Sequence, residues 1–235
     1  MARTTAIAAA VGALLSLTPS ARAEQPRAAP DELGTFEQDM HQAFAERERL
    51  GVTLLVTSVA SLAGAIPMLV PAEPDQALRV GGLSTLLFGG ANLGFAVAAL
   101  VSVAADRERF DSPALVAQRR TANGLARAEL EAIEEASQDA TIYAVNLGLD
   151  ALYLGGGVAA LVGGGLRFDA HANRWLAAGI AISAQALFLV SFDATGVALT
   201  SERHAKLVHN LHVTPVLGPN AAGGTDVGLA VSAGF

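Results

Sequence analysis

Residues 143–166 read YAVNLGLDALYLGGGVAALVGGGL, with one acid, Asp150, and no base. Roughly 20 apolar residues at 1.5 Å each cross a ~30 Å hydrocarbon core, so this run is long enough to span a bilayer. In lipid the backbone must hydrogen-bond to itself, which leaves a helix as the natural solution. Three further stretches have the same character, at residues 50–70, 79–105 and 175–200. The links between them at 71–78 and 167–174 have room only for tight turns, so each joined pair is antiparallel. The predicted fold is an all-α membrane protein: a four-helix transmembrane bundle made of two antiparallel hairpins, 50–105 and 143–200.

Composition points the same way. Of the 235 residues, 52% are hydrophobic and 16% charged, against about 25% charged in a soluble domain; the mean hydropathy is +0.43. That is too little polar material to coat a water-facing surface, and it excludes disorder and a coiled coil. A net charge of −7 with no basic patch excludes a nucleic-acid partner. The lipid bilayer is the expected partner, with helix packing or the tail as the route to a protein partner. No cysteine is present, so there is no disulfide or thiolate site. The chain contains no G-x-S-x-G elbow, no H-E-x-x-H helix and no phosphate loop. Neither an enzyme nor a cofactor is expected. His204, His209 and His212 are too irregularly spaced to suggest a metal site.

The flanks carry their own signals. Residues 1–23 read as a secretory signal peptide, with Arg3, an apolar run, Pro19 and then Ala21-Arg22-Ala23 at the cleavage point. Residues 24–49 form an extracytoplasmic lead-in, flexible to Gly34, and a short helix opened by a capping box at Thr35-Phe-Glu-Gln38. Residues 106–142 form a polar helical loop. Ser112-Pro113 starts its helix, which runs towards Ala136 with an interruption at Gly124. In the tail, 201–235, Leu211, Val213 and Pro215 alternate with polar neighbours, as do Val227, Leu229, Val231, Ala233 and Phe235, which predicts a short β-hairpin. One hairpin cannot close a barrel, so an outer-membrane barrel is set aside.

A cleaved signal places the termini and the 106–142 loop outside a multi-pass protein of the cytoplasmic membrane. The positive-inside rule argues the reverse, because Arg79, Arg167 and Arg174 are the basic residues on the short-turn side. The signal acts first during export and is followed here. Tyr143 and Trp175, at span ends, read as interface anchors.

Inside the spans the informative groups are acids. Asp150 lies seven residues into the third span and Asp193 seven before the end of the fourth. Antiparallel packing puts both about 10 Å below the loop surface. Asn146, Asp150 and Tyr153 share a helix face, as do Gln185 and Asp193. These five residues are the candidate polar cluster. A carboxyl pair without a base can lock two helices through a protonated hydrogen bond to neighbours such as Tyr153 or Ser191, hold a proton or cation, or line a ligand pocket. Gly90-x-x-x-Gly94, the ridge Gly155, Ala159, Gly163, and Gly156, Ala160, Gly164 beside it predict close helix packing, with Asn92 as interhelical glue.

The motifs Asn146-Leu-Gly-Leu-Asp150-Ala-Leu-Tyr153 and Gln185-Ala-Leu-Phe188-Leu-Val-Ser-Phe192-Asp193 resemble an uncharacterised family of small bacterial four-span membrane proteins. Its pattern is N-x-G-L-D-x-x-Y in one helix and Q-x-x-F-L-x-x-F-D in the next. Ala186 stands where such relatives carry glycine, and the first hairpin agrees only in layout. The resemblance implies the four-span fold and points to the same polar residues without an activity. The functional expectation is a non-enzymatic structural or accessory component of the cell envelope. The alternative is a small proton- or cation-coupled carrier or channel using Asp150 and Asp193.

Overall fold

The computed structural model describes residues 28–70, 76–166 and 171–209, and the backbone of 211–219 and 225–233. Residues 1–23, where a signal peptide is expected, and the centres of both short turns, 71–75 and 167–170, lie outside the described residues. Among the described residues five helices follow one another: α1 (Pro30–Leu69), α2 (Gln76–Phe110), α3 (Pro113–Arg119), α4 (Ala122–Gly165) and α5 (Ala172–His209). The four long ones are each long and apolar enough to cross a membrane. The protein is built as a multi-pass membrane protein.

The helices do not stop where the apolar spans stop. The expected short helix is one uninterrupted helix with the first span, and it takes in residues 30–34 of the expected lead-in. It starts at Pro30, whose fixed φ suits the first helical position, with Asp31 and Glu32 in the positive first turn. Thr35 is already inside it, donating to the Asp31 carbonyl at 2.9 Å, so the capping-box reading fails. The buried face Phe36, Met40, Phe44, Gly51, Leu54, Ser58 and Ala65 runs through at steps of three, four and seven, leaving no reason to break. The loop helix differs too. It ends at Arg119, and α4 begins at Ala122 and continues without interruption into the third span. Ser112 flanks α3 in extended conformation but makes no side-chain cap. The cap belongs to Thr121, whose Oγ1 accepts from the Gly124 nitrogen at 3.1 Å. Gly124 is required there, because a β-carbon would run into the Gln118 carbonyl.

Within each hairpin, glycines set the register. In the first, β-carbons at Gly51, Gly82 and Gly89 would stand 2.9–3.0 Å from Leu100, Met68 and Leu62. In the second, Gly157 lies on Ser183, Gly164 on Leu176, Gly179 on Leu161 and Gly196 on the Tyr143 ring. The α4 packing row is therefore Gly157, Ala160, Gly164. Of the ridges expected to pack, Ala160 and Gly164 do, whereas Gly90, Gly94, Gly155, Gly156 and Gly163 meet nothing within 4 Å and Ala159 is exposed. Strict four-residue spacing drifts around a 3.6-residue helix, and the true row alternates three and four. The hairpins join where α2 packs on α5, and Phe88 of α2 stacks on Tyr153 of α4 with ring centroids 4.5 Å apart.

The core sits at the polar end rather than in the spans. Phe36, Met40 and Phe44 of α1, Val103 of α2, Leu125, Ala132 and Ala136 of α4 and Leu207 of α5 form one buried cluster. Phe110 caps it, touching Phe36 and Phe44, with the buried Arg119 guanidinium 3.8 Å above its ring. Along the spans large apolar side chains such as Val56, Leu87, Phe95, Leu152 and Leu187 are exposed, as lipid contact requires.

Candidate functional site

Where the spans meet the polar cap, charged residues from all four long helices converge. Arg47 of α1 donates to Asp106 of α2 at 3.2 Å and to Glu135 of α4, with Asp139 of α4 at 4.0 Å. Asp139 also pairs with Arg203 of α5 at 3.3 Å. Ser102 supports Asp106 at 3.3 Å. The Arg47 side chain is 19% exposed, so these bonds sit in partly desolvated surroundings, where planar guanidinium–carboxylate bonding is stronger than at an open surface.

The polar groups continue downward along the α4–α5 seam. Tyr143, one turn after Asp139, lies within electrostatic reach of Asp139, Arg47 and Arg203 above and of Asp193 below. It packs inward on Gly196 and edge-on to Phe192, ring centroids 6.2 Å apart, so it is a seam residue and not an outward interface anchor. Trp175 is 45% exposed. Below Tyr143, the buried Asp193 carboxyl lies within hydrogen-bonding reach of Asp150 across the seam. Two carboxyl groups can bond this way only with a proton between them. Asp150 Oδ2, Ser183 Oγ and Gln185 Oε1 are buried without a partner.

Of the five residues singled out by sequence, the structure thus joins Asp150 and Asp193. Gln185 is half-buried on the same helix as Asp193. Tyr153 is turned to Phe88, and Ser191 donates to the Leu187 carbonyl at 2.9 Å. Asn146 is exposed, one turn above Asp150, where α4 and α5 leave its side chain uncovered. Sequence reasoning missed Arg47, Asp139, Tyr143 and Arg203. Asp139, Tyr143 and Asp150 are four and seven residues apart and so on one face, a signal hidden by ending the span at Tyr143. Among the described residues no cluster of three or more His, Asp or Glu side chains has the arrangement of a metal site.

In the cap, Glu129 of α4 is 2% exposed and neither carboxyl oxygen has a partner. Burial, aided by the Glu32 charge, pushes its pKa up to about 7.

Comparison with curated proteins finds no match, and neither does comparison with solved structures. A family of unknown function (DUF6992) matches residues 53–194, a segment that holds the first two spans and nearly the whole α4–α5 seam down to Asp193. That match covers more than half of the chain, which therefore belongs to the DUF6992 family.

Proposed function

We propose that this protein is a non-enzymatic structural or accessory membrane component of the cell envelope, a rigid helical post rather than a moving carrier. The ionic clasp carries the reading: Arg47 and Arg203, sharing Asp139, tie α1, α2, α4 and α5 together directly above the spans. In this reading the Asp150–Asp193 bond is a second lock, deeper in the same seam. Interhelical polar bonds in a bilayer stabilise by about 1 kcal/mol or more, and here they add to glycine-tight packing.

The test separates lock from carrier. Asp193→Ala should lower stability in detergent by about 1–3 kcal/mol, while Asp193→Asn, whose amide supplies the needed donor, should retain most of it. Wild-type protein in vesicles should pass neither protons nor cations. A flux that Asp193→Asn abolishes at unchanged stability would overturn the proposal in favour of a proton- or cation-coupled carrier. That second reading has one observation of its own, the unpartnered buried oxygens of Asp150, Ser183 and Gln185.

The envelope placement rests on the signal at 1–23, which puts the termini and the 106–142 region outside the cytoplasmic membrane; a reporter fused after Phe235 that is active in the cytoplasm would refute it. For the tail we favour a hairpin, supported by its period-2 pattern and by the antiparallel register from Leu211↔Ala233 to Pro219↔Thr225. Such a tail offers a protein partner a strand edge.

A further inference from the structure

An open groove of about 490 Å³ runs between the middle of α4 and the last turns of α5, within the ~300–1,000 Å³ range of small-ligand sites. Its floor follows from side-chain size. Ala140 and Ala144 stand one turn apart on one face of α4, with Val197 of α5 beside them, and leave a trough between the two helices. Further down the hairpin the outward side chains are large, at Leu152, Val158 and Leu187.

The groove crosses the membrane boundary, because the apolar spans begin at Tyr143 and end at Thr200. Ala144, Val145 and Val197 lie on its hydrocarbon side, and Ser137, Ser201 and His204 on its water side. From Ser137 to Val145 is about 12 Å along the helix. Hydrogen-bonding capacity changes over that distance. The Ser137 and Ser201 hydroxyls and the His204 ring make no hydrogen bond or ion pair among the described residues, so each has a donor to offer. Thr141, at the boundary, spends its own on the Ser137 carbonyl at 2.9 Å. Among the described residues no acid lines the groove, so nothing in its wall repels an anion. The complement is an amphiphile with an anionic, acceptor-rich head level with the boundary and a hydrocarbon chain below it.

We propose that this groove binds a glycerophospholipid of the surrounding bilayer, one acyl chain lying along Ala144 and Val197 and the phosphate diester accepting from His204, Ser201 and Ser137. The bilayer presents this chemistry at this depth, phosphates at the boundary and chains beneath. The site is separate from the clasp and from the carboxyl pair, since Arg47, Asp139, Arg203, Asp150 and Asp193 do not line it.

The test uses the full chain in maltoside micelles supplied with dioleoylphosphatidylglycerol or with dioleoylglycerol, which has the same chains and no phosphate. Native mass spectrometry then counts the lipids that survive stepwise removal of the micelle. One phosphatidylglycerol per chain should persist, and dioleoylglycerol should be retained about tenfold less, the worth of one hydrogen bond to a charged group. Ala144→Phe, which fills the trough, and His204→Leu, which removes the ring donor, should each lower phosphatidylglycerol retention by about as much. Val158→Phe, on the exposed surface outside the groove, should leave it unchanged. Each groove variant backs up the other should one fail to fold. Equal retention of the two lipids overturns the proposal, as does retention unchanged in either folded groove variant or lost equally in Val158→Phe. A lipid-free dimer that Ala144→Phe splits overturns it in favour of a second copy of the chain.

Discussion

Gly157 of α4 lies so close to Ser183 of α5 that a β-carbon at 157 would stand 2.5 Å from Ser183 Oγ and 2.8 Å from its backbone nitrogen. This contact, repeated at Gly164, Gly179 and Gly196, brings the two helix backbones close enough for Asp193 to reach Asp150.

Gly157→Val should therefore push the seam apart. Overpacking of this kind costs about 1–3 kcal/mol, and here it should also break the carboxyl bond. Gly155→Val and Gly90→Val, two residues away on α4 and on the outer face of α2, meet no atoms within 4 Å and should leave stability within about 0.5 kcal/mol. Unfolding curves of the three variants in one detergent provide the check. Equal losses in all three would mean that the glycines act through helix propensity and not through the seam.

The clasp makes a different prediction. Arg47→Met leaves Asp106, Glu135 and Asp139 facing one another without their shared cation. Removing one partner of a buried pair costs about 3–5 kcal/mol, and partial exposure reduces this to about 2 kcal/mol. Adding Glu135→Gln to Arg47→Met should restore part of the loss, a non-additivity that a double-mutant cycle in detergent measures directly. Strict additivity would show that Arg47 and Glu135 do not couple.

Glu129 gives the cap a pH dependence of definite sign. Its carboxyl is pushed from the ordinary 4.5 up to about 7, so the folded state holds a proton that the unfolded chain releases earlier. The associated stability is full below about pH 4.5 and is lost as pH rises through 7. Between pH 5 and pH 8 the unfolding free energy should fall by on the order of 3 kcal/mol. Glu129→Gln should flatten this slope, matching wild type at pH 5 and exceeding it at pH 8. Thermal unfolding of both proteins at the two pH values decides it; a wild-type curve that rises with pH would contradict the assignment.

Much of the architecture was legible in the chain because hydropathy is a local property. Residues 79–105 and 143–166 are too apolar and too long to be anything but spans, and turns too short to cross back force their antiparallel pairing. The seven-residue positions of Asp150 and Asp193 likewise place both acids at one depth, since depth along a helix is simple counting at 1.5 Å per residue. Local reading erred where the helix continued past the membrane boundary. Pro30 and Thr121 mark the true starts of α1 and α4, but hydropathy begins each span only after the charged stretch, at Leu50 and at Tyr143.

By itself, then, the sequence determined that four apolar rods stand in two antiparallel pairs with two acids level inside them. Only the tertiary structure decided which side of each rod faces inward. Azimuth is not a local property: GxxxG at Gly90 is as small as the row at Gly157, and small residues are equally at home against lipid or against a helix. What separates them is the partner surface, with Ser183 and Leu176 opposite Gly157 and Gly164 and nothing opposite Gly90. The same dependence hid the clasp, because Arg47, Asp139 and Arg203 lie far apart in the chain and meet only once the hairpins have packed.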